Sequence, residues 1–245
     1  MAGNLVLTRP AGSNAQLQVT LKQAGMRTLE APLIEIQGLD PAIDPKAPLE
    51  TVIFTSQNAV KHARGLIQRL QNTSRGMVFA VGAATKQMLA SHSVPALAPL
   101  QPGSEFLLQL EDLQQVRGKR ITIVTGRAGR GLLESELTAR GAKVERYECY
   151  ERLPLDPPEL KRLLQDGEYD HVLVTSVDVL TALMSCIGKS LYTKITLVVT
   201  AARIAEAAAS KGFTDLIEVQ GVGAAEILEA VSGVRLARER FDHEG

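Results

Sequence analysis

The sequence predicts an α/β fold of parallel sheets covered by helices on both faces, made as two related units. Three observations carry this prediction. Short β-branched runs alternate with stretches of helical periodicity along the chain. The strand candidates are nearly uniformly apolar, as expected of strands buried on both faces. And "VIFTSQNAV" at 52–60 returns as "VLVTSVDVL" at 172–180, each an apolar run that ends in Thr-Ser and passes into a helical pattern.

In chain order, strands are expected at "NLVLT" (4–8), "TVIFT" (51–55), "MVFAV" (77–81), "RITIVT" (120–125), "HVLVT" (171–175) and "KITLVVT" (194–200). After the second, Ala59, Val60, Ala63, Leu66, Ile67 and Leu70 form one apolar stripe at helical spacing. After the fifth, Leu180, Leu183, Met184 and Ile187 form another. "PGSE" (102–105) is a helix entry, with Ser104 as the cap and Glu105 in the first turn.

The repeat extends beyond its first pair. "FAVGAATKQMLA" (79–90) matches "LVVTAARIAEAA" (197–208), and "GSEFLLQLE" (103–111) matches "GAAEILEAV" (223–231). One pair breaks the order. "ITIVTGRAGRGLLESELTARGAKVE" (121–145) matches "LVLTRPAGSNAQLQVTLKQAGMRTLE" (5–30), which lies N-terminal, with Leu133, Leu137 and Gly141 falling on Leu17, Leu21 and Gly25. If both units share one topology, the N-terminal piece completes the unit that the C-terminal piece begins. Residues 1–36 with 152–245 are then one discontinuous domain, and 37–151 a second domain inserted into it. The boundaries fall in the Pro- and Asp-rich "QGLDPAIDPKAPLE" (37–50) and "RLPLDPP" (152–158). A cleft between the two domains is the expected ligand site.

Composition narrows the function. The 27 basic and 27 acidic residues cancel, which argues against binding nucleic acid through a general basic field. No apolar run has the length of a membrane span, and "MAGNLVLTRP" lacks a signal-peptide layout. Cys149 and Cys186 form no metal spacing and read as buried strand and helix residues, so a reduced cytoplasmic protein is expected.

The residues that suit chemistry sit at strand ends. Thr55-Ser56 and Thr175-Ser176 read first as helix N-caps, a hydroxyl accepting from an orphan helix N–H. Such a helix start at the carboxyl end of a parallel strand also offers N–H donors and a positive dipole end to a carboxylate or phosphate. "VGAAT" (81–85) adds Gly82, which permits close backbone approach, and Thr85, a hydroxyl donor; its counterpart places Thr200 and Arg203 at a helix start. "TGRAGRG" (125–131) lacks the residues of a phosphate loop, but its Arg127 and Arg130 can clasp carboxylates, and "LTRP" (7–10) supplies Arg9 in the equivalent place. Tyr150 closes the inserted unit. Its hydroxyl is a candidate proton donor facing the cleft, and equally a strand-end aromatic packed under a linker.

Taken in order, "LTRP" (7–10), "FTSQNAV" (54–60), "AVGAATKQML" (80–89), "GSEFLL" (103–108), "GRAGRGLLESELTARGAKVERYECYER" (126–152), "LVTSVDVLTAL" (173–183) and "VVTAARIAEAA" (198–208) resemble the bacterial uroporphyrinogen-III synthases over nearly the whole chain. The resemblance implies two flavodoxin-like, doubly wound parallel-sheet domains, one discontinuous, joined by a two-strand linker. It implies a lyase of porphyrin and heme biosynthesis that cyclises linear hydroxymethylbilane to uroporphyrinogen III, losing water and inverting ring D through an azafulvene and a spiro intermediate. No metal or organic cofactor is implied, and the expected protein is a cytoplasmic monomer that takes its substrate by hand-over from the upstream bilane-forming enzyme, without nucleic acid or membrane as partner. The family's cleft tyrosine falls on Tyr150 as the catalytic residue. The substrate-binding positions fall on Arg9, Ser56, Asn58, Gly82, Thr85, Arg127, Thr175 and Ser176. Thr200 and Arg203 are carried over as well, although Thr200-Ala201-Ala202-Arg203 departs from some members by lacking the glycine and the hydroxyls after it. A non-enzymatic two-domain binder of small polycarboxylates satisfies the same strand-end chemistry and is the alternative. A nucleotide- or flavin-dependent enzyme is disfavoured by the absent phosphate loop.

Overall fold

The computed structural model describes residues 4–39, 41, 48–72, 76–129 and 131–232; Arg130 and the tail at 235–245 lie outside them. The strands are β1 (Asn4–Leu7), β2 (Arg27–Glu30), β3 (Ile34–Gly38), β4 (Thr51–Phe54), β5 (Met77–Ala80), β6 (Arg120–Gly126), β7 (Lys143–Pro154), β8 (His171–Val174), β9 (Thr196–Val199) and β10 (Leu216–Glu218). The helices are α1 (Ala15–Gln23), α2 (Gln57–His62), α3 (Arg64–Gln71), α4 (Ala83–Ser91), α5 (Ser104–Leu107), α6 (Leu132–Ala139), α7 (Leu160–Gln165), α8 (Val177–Cys186) and α9 (Ala202–Ser210), and 224–232 is also helical. Among the described residues no helix is long and apolar enough to cross a membrane.

The chain divides into two compact units, Met1–Glu35 with Leu153–Gly245, and Ile36–Arg152. In the first, the sheet runs β10-β9-β8-β1-β2 with parallel pairing throughout. Numbered within the unit this is the order 2-1-3-4-5, the flavodoxin-like path. In the second, the order is β3-β7-β6-β4-β5, and the pairs within β7-β6-β4-β5 are parallel. That four-strand path repeats β2-β1-β8-β9 of the first unit. The two differ in where the chain enters: the second unit starts on β4, the counterpart of β8, and reaches the counterparts of β1 and β2 last. The fifth strand, β10 in the first unit, shrinks in the second to one parallel bridge between Phe79 and Leu97. The chain passes from unit to unit in β3 and again in β7, which are neighbours in one sheet.

Uniformly apolar strands follow from helices on both faces. All four residues of β4, β8 and β9 are buried. In β4, Val52 and Phe54 join a core with α2 and α3, while Ile53 points into the opposite core with Leu107, Leu133 and Leu137. This is the period of two along a strand turned into two separate cores. In the first unit Leu5 and Leu7 pack with Leu17 and Leu21 of α1. The N-cap residue of that helix, Asn14, makes no side-chain cap bond. Burying two leucines contributes about 1.5–3 kcal/mol each, more than the roughly 1 kcal/mol a cap supplies, so packing decides that α1 forms.

Three details differ from the sequence expectation. The stripe from Ala59 to Leu70 is buried throughout, but two helices carry it, because Ala63 leaves the helical region at ψ 41°. The cap before α5 is Gly103, with φ 147°, and Ser104 is the first helical residue; glycine alone takes that φ without strain. Finally, β2, β3 and β10 are not among the expected strands, and β7 is expected only around Cys149 and Tyr150. The first three are short edge strands, and β7 intersperses charged residues among its buried ones.

Candidate functional site

In each unit the candidate residues gather where its own parallel strands end. β4 stops at Phe54 and α2 starts at Gln57, so Thr55 and Ser56 make the whole turn. Thr55 Oγ1 donates to the Val124 carbonyl at 3.1 Å, tying this turn to the end of β6. Ser56 is the N-cap, in extended backbone at φ −164°, and its Oγ accepts from Ala59 N–H at 3.1 Å. The turn after β8 repeats this arrangement: Ser176, at φ −158°, accepts from Val179 N–H at 3.2 Å. Both Thr-Ser turns are therefore caps, and Ser56, Asn58, Thr175 and Ser176 are all half-buried.

In the first unit β1 ends beside β8 at the point where the strand order reverses, the position at which open α/β sheets bind ligands. There Thr8, fully buried, donates its hydroxyl to the Leu173 carbonyl. Arg9 follows, half-buried, with burial lowering the pKa of its guanidinium. After β9 the helix start is plain. Ala201 is the N-cap without a side-chain bond, Thr200 is half-buried and Arg203 is exposed.

In the second unit the equivalent reversal lies between β4 and β6. Arg127, just past β6, is exposed and already paired, with Glu151 Oε2 at 2.8 Å and Glu148 Oε2 at 3.9 Å. An anionic group reaching Arg127 must compete with two carboxylates. After β5, Gly82 caps α4, and the atom that a side chain here would meet, at 3.1 Å, is Pro102 Cβ. Thr85 is buried within the first turn of that helix.

Tyr150 joins these elements. It is 1% exposed and belongs to the core under α2 and α3. Tyr147 and Cys149 lie on this face by ordinary strand alternation, and Tyr150 reaches it as well because the β6–β7 register slips between Thr125 and Gly126. A bulge of this kind re-aims one side chain. The ring lies against Gly126, where a Cβ would stand 2.6 Å from Tyr150 Cζ, so only glycine fits beneath it. The hydroxyl is 3.1 Å from Ser56 Oγ. Arg152 Nη2 donates to the same hydroxyl at 3.1 Å, with the guanidinium 5.2 Å from the ring centroid. The His62 ring is 5.9 Å away, its pKa lowered by burial and by the charges of Lys61 and Arg64.

The structure thus brings Ser56 and Tyr150 into direct contact. Gly126, Arg152 and His62 around them are not singled out by the sequence. Only Arg152 leaves a usable signal, two positions along the strand from Tyr150.

A family model described as Uroporphyrinogen-III synthase HemD matches residues 15–225. The uroporphyrinogen-III synthase of Escherichia coli (strain K12) is 33% identical over 231 residues, covering 87% of this chain and 93% of that protein. The chain belongs to the uroporphyrinogen-III synthase family. A second synthase of that name, from Proteus mirabilis, is 34% identical over 164 residues, 62% of this chain and 82% of its own. The fold is shared with solved structures of the family. A mutant uroporphyrinogen III synthase from the extreme thermophile Thermus thermophilus aligns with a TM-score of 0.65 at 18% identity, covering 98% of this chain and 100% of that one. The uroporphyrinogen-III synthetase of Helicobacter pylori 26695 aligns with a TM-score of 0.60 at 16% identity, covering 96% and 99%.

Proposed function

We propose that this protein does what its family is named for, cyclising hydroxymethylbilane to uroporphyrinogen III with loss of water and inversion of ring D. The family match over residues 15–225 carries this reading. The strand ends support it. The substrate bears carboxylate arms on every pyrrole ring, and both units offer capped helix starts and arginines to anionic groups. Arg9, Ser56, Asn58, Gly82, Thr85, Arg127, Thr175, Ser176, Thr200 and Arg203 are the proposed substrate-binding positions. Arg9 and the two Thr-Ser turns are the best placed of these, and Arg127 is the most occupied by its own acidic neighbours.

The residues' work is to deliver one proton and to hold a flexible chain. Loss of the hydroxymethyl oxygen as water needs a proton on that oxygen, while the pyrrole electrons form the exocyclic double bond of the azafulvene. Tyr150 is the proposed source of that proton. Attack by ring D through its substituted carbon gives the spiro intermediate, and fragmentation and recombination close the macrocycle. Bound orientation, rather than a further side chain, selects this route over direct closure. The residues 37–151 are proposed as a domain inserted into 1–36 with 152–245, in keeping with the matching strand paths of the two units. A cytoplasmic monomer receiving its unstable substrate by hand-over from the bilane-forming enzyme completes the proposal.

The test is consumption of hydroxymethylbilane. The expected result is a saturable acceleration over the spontaneous loss. Thermal stabilisation by the bilane without any acceleration identifies the polycarboxylate binder instead.

A further inference from the structure

Tyr150 poses a problem for an acid: the residue is 1% exposed, which leaves its hydroxyl little surface at which to meet a ligand. The hydrogen bonds around it supply the answer. Tyr150 Oη accepts from Arg152 Nη2 at 3.1 Å, and Ser56 Oγ accepts from Ala59 N–H at 3.1 Å. The remaining bond, 3.1 Å between Ser56 Oγ and Tyr150 Oη, has one proton to place. If Ser56 donates it, the tyrosine proton is left buried with no acceptor among the described residues, a costly arrangement. If Tyr150 donates it, both groups are satisfied, and the serine proton is free to point away from the core. Ser56 is half-buried at the carboxyl end of β4, the end of a parallel sheet at which open α/β folds bind ligands.

We propose that Ser56, Tyr150 and Arg152 form a proton relay in which Ser56 is the group that protonates the leaving hydroxyl, Tyr150 resupplies Ser56, and Arg152 is a positioning residue that holds the charge left on Tyr150. The inference rests on the synthase reading. The step balances. The C–O bond of the hydroxymethyl group breaks with its electron pair going to oxygen, which takes the Ser56 proton and leaves as water. The pyrrole electrons make the exocyclic double bond. Ser56 Oγ takes the Tyr150 proton, and the phenolate faces the guanidinium, a charge-assisted contact that strengthens as the proton departs. The proton is returned when the cyclised product loses one from carbon to restore its last pyrrole. Gly126 and the register slip in β6–β7 keep the tyrosine oxygen beside Ser56.

A double-mutant cycle tests this, read as kcat and KM separately. Arg152→Ala is expected to lower kcat about tenfold or more with KM within about twofold, the effect of a hydrogen bond to a charged group lost in the transition state. In a Tyr150→Phe background the same substitution is expected to change kcat no further. Ser56→Gly, which keeps most of the cap's stability, is expected to match Tyr150→Phe in kcat and to be non-additive with it. Thermal melting within a few degrees of the parent for each variant shows that the fold is kept. An equal loss from Arg152→Ala in both backgrounds, or a rise in KM alone, overturns the relay and makes Arg152 a substrate contact. A wild-type rate for Tyr150→Phe removes Tyr150 as the acid, and the relay with it, while leaving the synthase reading intact. If the unmodified protein itself does not speed bilane loss, the synthase reading fails.

Discussion

Gly126 and Tyr150 show how much of the chemistry hangs on a missing side chain. A Cβ at Gly126 would overlap the tyrosine ring at 2.6 Å from Cζ, so the ring must move or the strand must shift. Gly126→Ala is therefore expected to cost about 1–3 kcal/mol by overpacking, measured by urea unfolding, and to lower kcat along with it. Tyr150→Phe removes only the hydroxyl. A positioned acid contributes about 100-fold to 10,000-fold, and a hydroxymethyl group that leaves readily puts this case near the lower end. The expected outcome is about a 100-fold fall in kcat with KM and folded structure retained. The thiol of Cys149 is in the same core, and burial pushes its pKa up to about 11. It is inert in the native protein, so a thiol reagent at about pH 8, below the ordinary thiol pKa, reacts with it only on unfolding. Of this residue-scale picture, Tyr150 is legible through its place at the end of the inserted unit and through the family resemblance. Its burial is one of the two readings the sequence leaves open; which core it joins is not legible, because that depends on a slip in the pairing of β6 with β7, which no pattern along either strand records.

At the scale of elements, the Thr-Ser turns are legible because a strand end followed by a capping residue and a helical stripe is a local signal. Ser176→Ala removes the bond to Val179 N–H and is expected to cost about 1 kcal/mol in a chemical unfolding curve. The amino end of β8 is fastened differently. Burial works against the charge of Asp170, but bonds from His171 Nδ1 at 2.7 Å and Asn4 N–H at 3.3 Å outweigh it and hold the carboxyl below the usual range. A depressed carboxylate contributes stability above its unfolded pKa, about 3.9, and loses it as pH falls through the lower folded value. The stability difference between the parent and Asp170→Asn is expected to be present at about pH 6 and to shrink below about pH 4. A difference independent of pH would mean that the carboxylate's charge contributes nothing. The elements that the sequence does not reveal, β2, β3, β10 and most of β7, are those whose pairing, rather than composition, makes them strands.

At the scale of the molecule, the out-of-order repeat is the most informative feature of the sequence. The pair formed by 121–145 and 5–30, met in the wrong order, implies a shared topology entered at different points, and the strand orders β7-β6-β4-β5 and β2-β1-β8-β9 have that relation. Each unit then presents its strand ends, its caps and at least one arginine near the place where its strand order reverses. For a substrate with many carboxylates, this predicts that Arg9→Ala raises KM and weakens its dependence on salt, since one charge contact is lost. The most direct test of the whole account is the isomer formed from hydroxymethylbilane at full conversion. The prediction is uroporphyrinogen III, with ring D inverted. Uroporphyrinogen I alone, the product of direct closure without enzyme, would contradict it.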